Sequence, residues 1–476
     1  MILSQGQGMK AAYTRLKRLS MAITCSFLLL LPTIAEAFSP YTSKELEQLE
    51  KEFVEQINQA NNIIRDPLAT QYINHLGKTL AQHGQMPTPY FFLVQSNQIN
   101  AFAGPGGYIG INSELILASD SESELAGVMS HEMAHVRLLH LYRLIEHQKD
   151  MRIPMLASML AAIALGAINP SLGSGALMAT LGGFTQNNIN FIRSNEKEAD
   201  RIGIDMLIKS GLDPRGMAAF FKKLQQHSRY YYTENIPALL RTHPLDEDRI
   251  AEAEGRCVHL HKSSYPDSVD YPLFKELIRT NMVNDNKKLL DYYANRCKKN
   301  EQNNACRYGR VLAFINMNQF QEAKKILFSL LSVDSNNLFY IVAMARAEIG
   351  LQEFDHALQR LASLYANYPD NYAAISSYAE GLIAANKTKE AASILLKGTR
   401  KFKTDLILCN QLARAESKSQ RKGYAYFTEA RCQLLQGRKK EALRQLKIAN
   451  TFASKDKMLQ QRIQAKTEEI NDMLEK

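Results

Sequence analysis

The pattern of apolar and polar positions predicts a mainly helical chain. Between Ser43 and Gly84 the apolar residues follow helical spacing with one break, where Asp66 and Pro67 are typical of a new helix start. Helical spacing returns after Asp120, in a segment with possible N-cap residues and first-turn acids. It continues through most of the second half of the chain.

Two short stretches rich in aromatic and β-branched residues are typical of strands instead, and they predict a small antiparallel sheet. Tyr90 to Val94 is one strand, and Ile99 to Ile111 continues as strand on either side of Gly104-Pro105-Gly106-Gly107. Proline and glycine within a strand indicate a sheet edge or a bulge, with a plain hairpin turn as the alternative. An edge strand can bind an extended peptide by strand addition.

One region, residues 153–181, is almost entirely apolar. Three interpretations of it remain open: a buried helical hairpin, a face laid on a membrane or a partner, and a re-entrant membrane segment. Its first run is short for a membrane span and lacks tryptophan anchors, since the chain has no Trp.

From about residue 304 the sequence repeats with a period of 34 residues. Ala323, Ala357 and Ala391 are spaced at this period, in similar polar segments. Such a period with small residues at fixed places is typical of tetratricopeptide repeats, which are pairs of helices. Ala442 shows the pattern again but out of phase, which indicates one inserted helix. About four repeats predict a solenoid that binds partners.

Residues 1–37 have the three parts of a secretory signal peptide. A basic start is followed by the apolar run Met21 to Leu31 and by Ala35-Glu36-Ala37, a typical cleavage site. The apolar run is short for a membrane anchor. We therefore predict export to the periplasm with removal of residues 1–37.

The chain carries a formal net charge of +10. A modest basic excess suits an anionic membrane surface or acidic partners, although charge of this kind also serves solubility. No motif indicates nucleic-acid binding, so we predict no nucleic-acid partner. Hydrophobic residues make up 45% of the chain, a composition typical of globular proteins and not of disordered ones.

Five of the six cysteines follow the predicted signal peptide. Cys297 and Cys306 flank a polar turn between two helical segments, and Cys409 and Cys432 are placed similarly about another polar break. Export permits disulfides in both pairs, and buried free thiols are the alternative for each. Cys257 has no evident partner.

The segment His131-Glu132-Met133-Ala134-His135 contains the clearest chemistry. Positions four apart lie on one face of a helix, so His131 and His135 can bind one metal ion. Zn²⁺ takes neutral imidazole and carboxylate ligands, and a catalytic zinc site has three protein ligands plus water. Glu132 is placed to accept a proton from that water. The alternative is an amphipathic helix with two solvated histidines.

A second helical segment supplies the candidate acidic residues Glu196 and Asp200, which are four residues apart. A carboxylate from a second helix is the expected third zinc ligand of a gluzincin, and we assign that role to Glu196. Asp200 is placed to accept a hydrogen bond from a zinc-binding histidine and to fix its tautomer. An exposed acidic helix start is the alternative.

Together these motifs resemble peptidase family M48. The resemblance is carried by His131 to His135, by Glu-x-x-Ala-Asp from Glu196, by the stretch Asn100 to Gly107, and by Thr242-His243-Pro244 with Arg249-Ile250 after it. It implies peptide hydrolysis with one Zn²⁺ per chain. It also implies that substrate binds along the edge strand, at Asn100 and Phe102.

The fold class is therefore predicted as α+β, mostly α. We assign a gluzincin-type, M48-like metalloprotease domain to 38–265, a helical connector to 266–303 and an all-α tetratricopeptide solenoid to 304–476. We expect the protease to fold without the solenoid. The resemblance implies action on unfolded or misassembled outer-membrane proteins, chaperone-like activity, and contact of the solenoid with the outer-membrane assembly machinery. Residues 153–181 are a candidate peripheral membrane contact.

His243 is, with Glu132, a candidate catalytic residue. Pro244 disfavours a helical backbone at His243, which predicts an extended loop near the metal. As a fourth ligand His243 replaces the water and makes the resting enzyme latent, whereas a withdrawn His243 supports the developing oxyanion. A loop histidine without metal contact is the third possibility. Four protein ligands also keep open a non-proteolytic chaperone or scaffold with a structural metal site.

Overall fold

The computed structural model describes residues 43–147, 186–230, 237–260, 265–298 and 303–475. The predicted signal peptide and the apolar stretch 153–181 lie outside these ranges, so both stay predictions. Within the described ranges, no helix is long and apolar enough to cross a membrane.

Four short strands form one sheet in the order β1 (Ile63–Ile64), β2 (Tyr90–Val94), β4 (Tyr108–Asn112) and β3 (Ala101–Ala103). β1 and β3 pair antiparallel with their neighbours, whereas β2 and β4 are parallel. The sheet is therefore mixed, and the prediction of an antiparallel sheet is wrong for its central pair. Side chains alternate in the same way in both orientations, so the sequence pattern contains no information on strand direction.

β3 is an edge strand, as the interrupting proline and glycines indicated. It pairs with β4 on one side, and no strand in the described part of the chain pairs with its other side. The two strands are joined by a 3-10 turn at Pro105–Gly107, where Gly106 and Gly107 have φ of +67° and +78°. Residues with a Cβ rarely adopt such angles, which explains the paired glycines.

Helices surround the sheet, and local capping fixes their ends. On the second helix, the side chain of Asp66 accepts hydrogen bonds from two first-turn amides, and Pro67 occupies a position that needs no amide hydrogen. The side chain of Asn74 bonds both backbone groups of Phe91 and so fixes this helix to β2. The bounds are α1 Ser43–Gln59, α2 Pro67–Gly84, α3 Ser113–Ala118, α4 Glu122–Arg137, α5 His140–His147, α6 Gln186–Ser210, α7 Arg215–Tyr230, α8 Ala238–Thr242 and α9 Glu247–Cys257.

The remaining described residues form two connecting helices and then five helix pairs in which consecutive helices pack together. The connecting helices are α10 Asp270–Met282 and α11 Asn286–Lys298. The paired helices are α12 Asn304–Asn316, α13 Phe320–Val333, α14 Leu338–Gly350, α15 Phe354–Asn367, α16 Tyr372–Ala384, α17 Thr388–Lys401, α18 Leu406–Lys418, α19 Lys422–Leu435, α20 Lys439–Thr451 and α21 Lys457–Glu475.

The 34-residue period corresponds to the helix pairs. A buried alanine recurs near the start of the second helix in the first four pairs: Ala323, Ala357, Ala391 and Ala425. A residue with left-handed backbone, φ between +58° and +61°, precedes each of these helices: Asn318, Gln352, Asn386 and Gln420. No helix is inserted, contrary to the prediction, because Ala425 keeps the period. Ala442 lies in α20, the first helix of the fifth pair.

One hydrophobic core runs through the protease helices and the helix pairs as far as α18, and a separate core lies among α19, α20 and α21. The ring of Tyr72 on α2 stacks on Phe274 of α10, with 4.3 Å between centroids, and meets Phe339 of α14 edge-on at 6.4 Å. The backbone amide of Tyr372 donates to the side chain of Gln71 at 2.8 Å. The predicted domain boundaries therefore do not coincide with a break in the core, and they stay assignments from sequence.

A second group of contacts joins α1 to the fourth helix pair. The side-chain amide of Asn58 donates to the carbonyl of Leu435 at 3.0 Å, and that of Gln59 donates to Gln436 at 2.6 Å. Asn58 is buried, so little water competes for its hydrogen bond. The protease helices thus contact the repeats at two separate places along the solenoid.

Both cysteine pairs form disulfides, so the free-thiol alternative is wrong for each. Cys297–Cys306 joins α11 to α12 and Cys409–Cys432 joins α18 to α19, each with 5.7 Å between Cα atoms. Each closes a short loop and stabilises the fold mainly by restricting the unfolded chain. Cys257 is a buried free thiol.

Candidate metal centre

Helix α4 holds His131 and His135 in the interior of the protease. The helix starts at Ser121, whose side chain accepts a hydrogen bond from the amide of Glu124 at 3.1 Å. Its residues from Glu122 to Ala134 are buried, because α6 and α7 pack on it. Gly203 of α6 permits this approach, since a Cβ there would lie 3.2 Å from the backbone nitrogen of His131. Close packing thus brings the acidic residues of α6 to the two histidines.

Four side chains converge between α4, α6 and α8, with donor atoms within 4.8 Å of one another: His131, His135, Glu196 and His243. The Nε2 atoms of His131 and His135 are 3.0 Å apart, and His243 Nδ1 lies 3.3 Å from His131 Nε2. His243 Nδ1 is 3.1 Å from Glu196 Oε1. Ligands of a tetrahedral zinc ion are about 3.4 Å from each other, so this set has the size and chemistry of one zinc site.

His243 reaches this point from the C-terminal end of α8. Its backbone is non-helical, with φ of −122° and ψ of 83°, as Pro244 predicted. Its amide donates to the carbonyl of Leu239 at 2.8 Å. The amide of Leu239 in turn donates to the carbonyl of Ile99, just before β3, at 3.2 Å. The loop histidine is therefore held by a short helix that is bonded to the start of the edge strand.

Glu132 lies beside the convergent ligands with its side chain fully buried. Neither carboxylate oxygen has a hydrogen-bond partner, and His243 Nε2 approaches Oε1 at 3.4 Å without bonding geometry. A buried carboxylate without a hydrogen-bond partner is costly for folding, so its presence calls for a functional reason. A group that must receive a proton from a reacting molecule provides that reason.

Asp200 and Arg249 support the ligands from behind. His131 Nδ1 lies 2.9 Å from Asp200 Oδ1, the contact predicted for Asp200. Arg249 donates from Nε and Nη2 to Asp200 at 2.7 and 2.8 Å, and its Nη1 lies 3.0 Å from Glu196 Oε2. Nη1 also donates to the carbonyl of Pro244 at 2.6 Å. One buried guanidinium therefore orients both carboxylates and the loop of His243.

The hydrogen bonds of this cluster shift the pKa values of its members. Burial lowers the pKa of His131, but hydrogen bonds to Asp200 and Glu196 outweigh burial and raise it to about 10. Burial takes the pKa of His135 well below its ordinary value. Burial raises the pKa of Glu196, yet the nearby His243 and His135 hold it well below its usual range. A metal ligand must be unprotonated, so metal binding at His131 displaces a proton and weakens as pH falls.

Comparison with known proteins assigns the chain to a family. The model of peptidase family M48 matches residues 67–257. The chain is 34% identical over 434 residues to the beta-barrel assembly-enhancing protease of Escherichia coli strain K12, with 89% of this chain and 87% of that protein covered.

The chain belongs to peptidase family M48.

Two further relatives agree with this membership. The putative beta-barrel assembly-enhancing protease of Vibrio cholerae serotype O1 is 37% identical, with 60% of this chain and 59% of that protein covered. Metalloprotease LoiP of Escherichia coli K12 is 30% identical, with 41% of this chain and 76% of that protein covered. This M48 peptidase is a metalloendopeptidase, and its family implies a metal cofactor.

Sequence reasoning missed residues that contact the predicted ligands. Arg249 entered it as part of a family motif without a role. His140 Nδ1 lies 2.9 Å from His135 Nδ1, and His140 Nε2 lies 3.3 Å from Glu198 Oε2. Burial lowers the pKa of His140, which is therefore neutral at pH 7. The signal for His140 was a histidine five residues after His135, a spacing that belongs to no metal-ligand pattern.

The edge strand of this M48 peptidase lies against α4, and the side chain of Phe102 is packed within the protein. The ring of Phe102 packs on Phe92 at 5.7 Å and covers Gly110, where a Cβ would lie 2.5 Å from the ring. Asn100 is buried, and its carbonyl accepts a hydrogen bond from the amide of Asn112 at 3.0 Å. Substrate contact at Asn100 and Phe102 stays a prediction. The main-chain groups of β3 that face away from β4, and that strand addition would use, are those of Ala101 and Ala103.

Proposed function

We propose that this M48 peptidase is a periplasmic zinc endopeptidase that acts on misassembled outer-membrane β-barrel proteins. The observation that supports the chemistry best is Glu132, a buried carboxylate without a hydrogen-bond partner beside four convergent metal ligands. Relatives named beta-barrel assembly-enhancing protease support the substrate class. The signal-like residues 1–37 support export.

Three imidazoles and one carboxylate suit Zn²⁺, with His131, His135 and Glu196 as the permanent ligands. Bound zinc polarises the scissile carbonyl and acidifies water. Glu132 accepts the proton of the attacking water and then passes it to the leaving amine. Asp200 keeps the proton of His131 on Nδ1 and so leaves Nε2 free for the metal.

The substrate is proposed to bind as an extended strand along β3. The outer side of β3 has no strand partner in the described ranges, and the strand runs beside α4. Backbone hydrogen bonds of this kind are independent of side chains, which suits an enzyme for many unfolded β-rich chains. Edge-to-face packing of Phe102 on Phe92 keeps the strand in place while it binds.

We assign His243 to latency, because its Nδ1 lies within 3.3 Å of both His131 Nε2 and Glu196 Oε1. In that place the imidazole takes the position of the water that Glu132 must activate. Replacing His243 with alanine should therefore raise peptide cleavage. If about one site in ten is open at rest, the gain is roughly tenfold. Cleavage of an unfolded test protein by purified enzyme, at measured zinc content, checks this.

The control for this substitution is His356→Ala, which removes an exposed histidine from a repeat helix. It should leave cleavage unchanged. A fall of about 10²–10³-fold in His243→Ala, at equal zinc content, would instead assign the imidazole to oxyanion support during turnover.

The helix pairs are proposed to bind the outer-membrane assembly machinery, because tetratricopeptide repeats bind partners and rarely catalyse. Tyr72 and Gln71 of the protease already contact Phe339 and Tyr372 and so cover part of the surface of the helix pairs. The partner therefore binds repeat surface that the protease leaves open. Chaperone-like holding of unfolded barrels and a peripheral membrane contact through 153–181 belong to the same proposal.

A non-proteolytic chaperone or scaffold role is the second candidate, and the four protein ligands favour it, since structural zinc sites have four. Glu132 argues against it, because a structural site needs no proton acceptor.

A cell experiment tests the proposed function and its rival together. A strain without the gene receives the native chain, His131→Ala or neither, and the level of a misassembled β-barrel protein is followed. We expect clearance by the native chain only, with an unrelated soluble periplasmic protein unchanged as the control. Osmotic-shock release of a chain beginning at residue 38 checks the location. Equal clearance by His131→Ala would favour the chaperone.

A further inference from the structure

We propose that His140 is a positioning residue that fixes the metal-binding tautomer of His135. It does so by accepting a hydrogen bond at Nδ1. The inference rests on the zinc site of the proposed function and concerns residues outside the ligand set. His140 is the first residue of α5, which follows α4 after a two-residue turn.

The two rings meet through their Nδ1 atoms, which are 2.9 Å apart. His135 directs its other nitrogen, Nε2, toward His131 Nε2 at 3.0 Å and Glu196 Oε1 at 3.4 Å. An imidazole that gives the Nε2 lone pair to a metal carries its proton on Nδ1. That proton needs an acceptor, and the Nδ1 lone pair of His140 is in place to accept it.

This assignment determines the tautomer of His140 as well. Its proton is on Nε2, which faces Glu198 Oε2 at 3.3 Å. The same oxygen accepts a hydrogen bond from Arg143 Nη1 at 2.9 Å. The side chain of His140 is only 4% exposed, whereas those of Glu198 and Arg143 are each 42% exposed, so the chain of contacts runs from the protein surface to the buried His140. Arg143 therefore holds Glu198, Glu198 orients His140, and His140 orients His135.

The other histidine of α4, His131, has the same arrangement with one ring fewer. Its Nδ1 meets Asp200 directly at 2.9 Å, and Arg249 holds Asp200. The hydrogen-bond chain from each of these two imidazoles thus ends in a carboxylate paired with an arginine. The parallel supports a common purpose, since partners of this kind orient metal ligands and raise their basicity.

The backbone gives an independent observation. Leu139, in the turn before α5, has φ of +54°, an angle that residues with a Cβ rarely adopt. Its side chain is 48% exposed, so packing of that side chain does not explain the angle. The turn brings His140 back to the ring of His135. Unfavourable backbone angles persist where the surrounding structure requires them, and they cluster at functional sites.

Three substitutions at one position separate hydrogen bonding from bulk. In His140→Asn the side-chain oxygen replaces Nδ1 as acceptor for His135. In His140→Gln the amide takes the place of Nε2 and bonds Glu198 instead. In His140→Leu both functions are absent. The matched control is His356→Leu, an exposed histidine far from the site in sequence.

The measurement is zinc affinity, by competition with a chromophoric chelator, on the purified full chain. We expect zinc binding to weaken by about 10–100-fold in His140→Leu and His140→Gln, the usual effect of losing such a partner. His140→Asn should stay within a few-fold of the native chain. Histidine-selective nitrogen NMR of the zinc-loaded native chain should show His135 protonated at Nδ1.

Native affinity in His140→Leu, or equal loss in Asn and Gln variants, would overturn the inference. If His140→Leu does not fold, the difference in zinc affinity between His140→Asn and His140→Gln still tests the role of the Nδ1 acceptor, because both variants retain a polar amide. A native chain that binds no zinc would instead contradict the proposed function. Equal zinc binding by all variants contradicts the role of His140 alone.

Discussion

Replacing Glu132 with glutamine should abolish peptide hydrolysis while zinc stays bound. Glutamine matches glutamate in size but cannot accept the proton of the attacking water. A general base contributes about 10²–10⁴-fold to rate. The loss is best measured in a His243→Ala background, where the proposed latency no longer lowers the starting rate. Cleavage of an unfolded protein and zinc content are measured on the same sample.

The matched control is Glu254→Gln in the same background. Glu254 is an exposed glutamate on α9 that pairs with Lys222, so its loss should leave cleavage unchanged. Cleavage by Glu132→Gln within a few-fold of its parent would remove Glu132 from the chemistry. A full biological effect of Glu132→Gln in cells would favour the non-proteolytic role.

A protein that ends at residue 303 should fail to fold at 37 °C. The deletion uncovers Tyr72, whose ring stacks on Phe274 and meets Phe339 of the repeats edge-on. Each buried aromatic side chain contributes about 1.5–3 kcal/mol, and whole domains are stable by only about 5–15 kcal/mol. Thermal unfolding followed by circular dichroism, with zinc content, checks this expectation.

The control deletion removes residues 454–476 alone. It leaves the contacts of Tyr72 and Gln71 with α14 and α16 in place, so it should lower the melting temperature much less. A soluble, zinc-loaded 38–303 fragment that melts like the full chain would show that the core is separable after all. The sequence alone predicted a protease that folds without the repeats, because the start of the 34-residue period resembles a domain boundary.

The sequence located the ligands because ligand spacing is local. His131 and His135 share a helix face by their separation, and the same holds for Glu196 and Asp200. His140 and Arg249 were beyond such reasoning, since their contacts depend on how α4, α5, α6 and α9 cross. Close approach at Gly203 and the left-handed turn at Leu139 determine those crossings.

The fold was predictable to a similar extent. Repeat length and helix content follow from periodicity, which a single chain shows directly. The parallel pairing of β2 with β4 does not follow from periodicity, because side chains alternate between the two faces of a sheet in parallel and antiparallel strands alike. Ala425 was missed as a repeat position because the residues around it differ from those around Ala391, although both are buried.

The two contact points between protease and solenoid restrict how this gene can evolve. Gln71 bonds the chain at Tyr372, in the third helix pair, and Asn58 bonds it at Leu435, in the fourth. Gain or loss of one 34-residue unit between Tyr372 and Leu435 would move one bonded position away from its partner. Repeat arrays usually lengthen and shorten by duplication and deletion. Insertion of a unit after the fourth pair would likewise separate Lys51 of α1 from Met473 of α21, whose sulfur accepts a hydrogen bond from Lys51 Nζ at 3.3 Å.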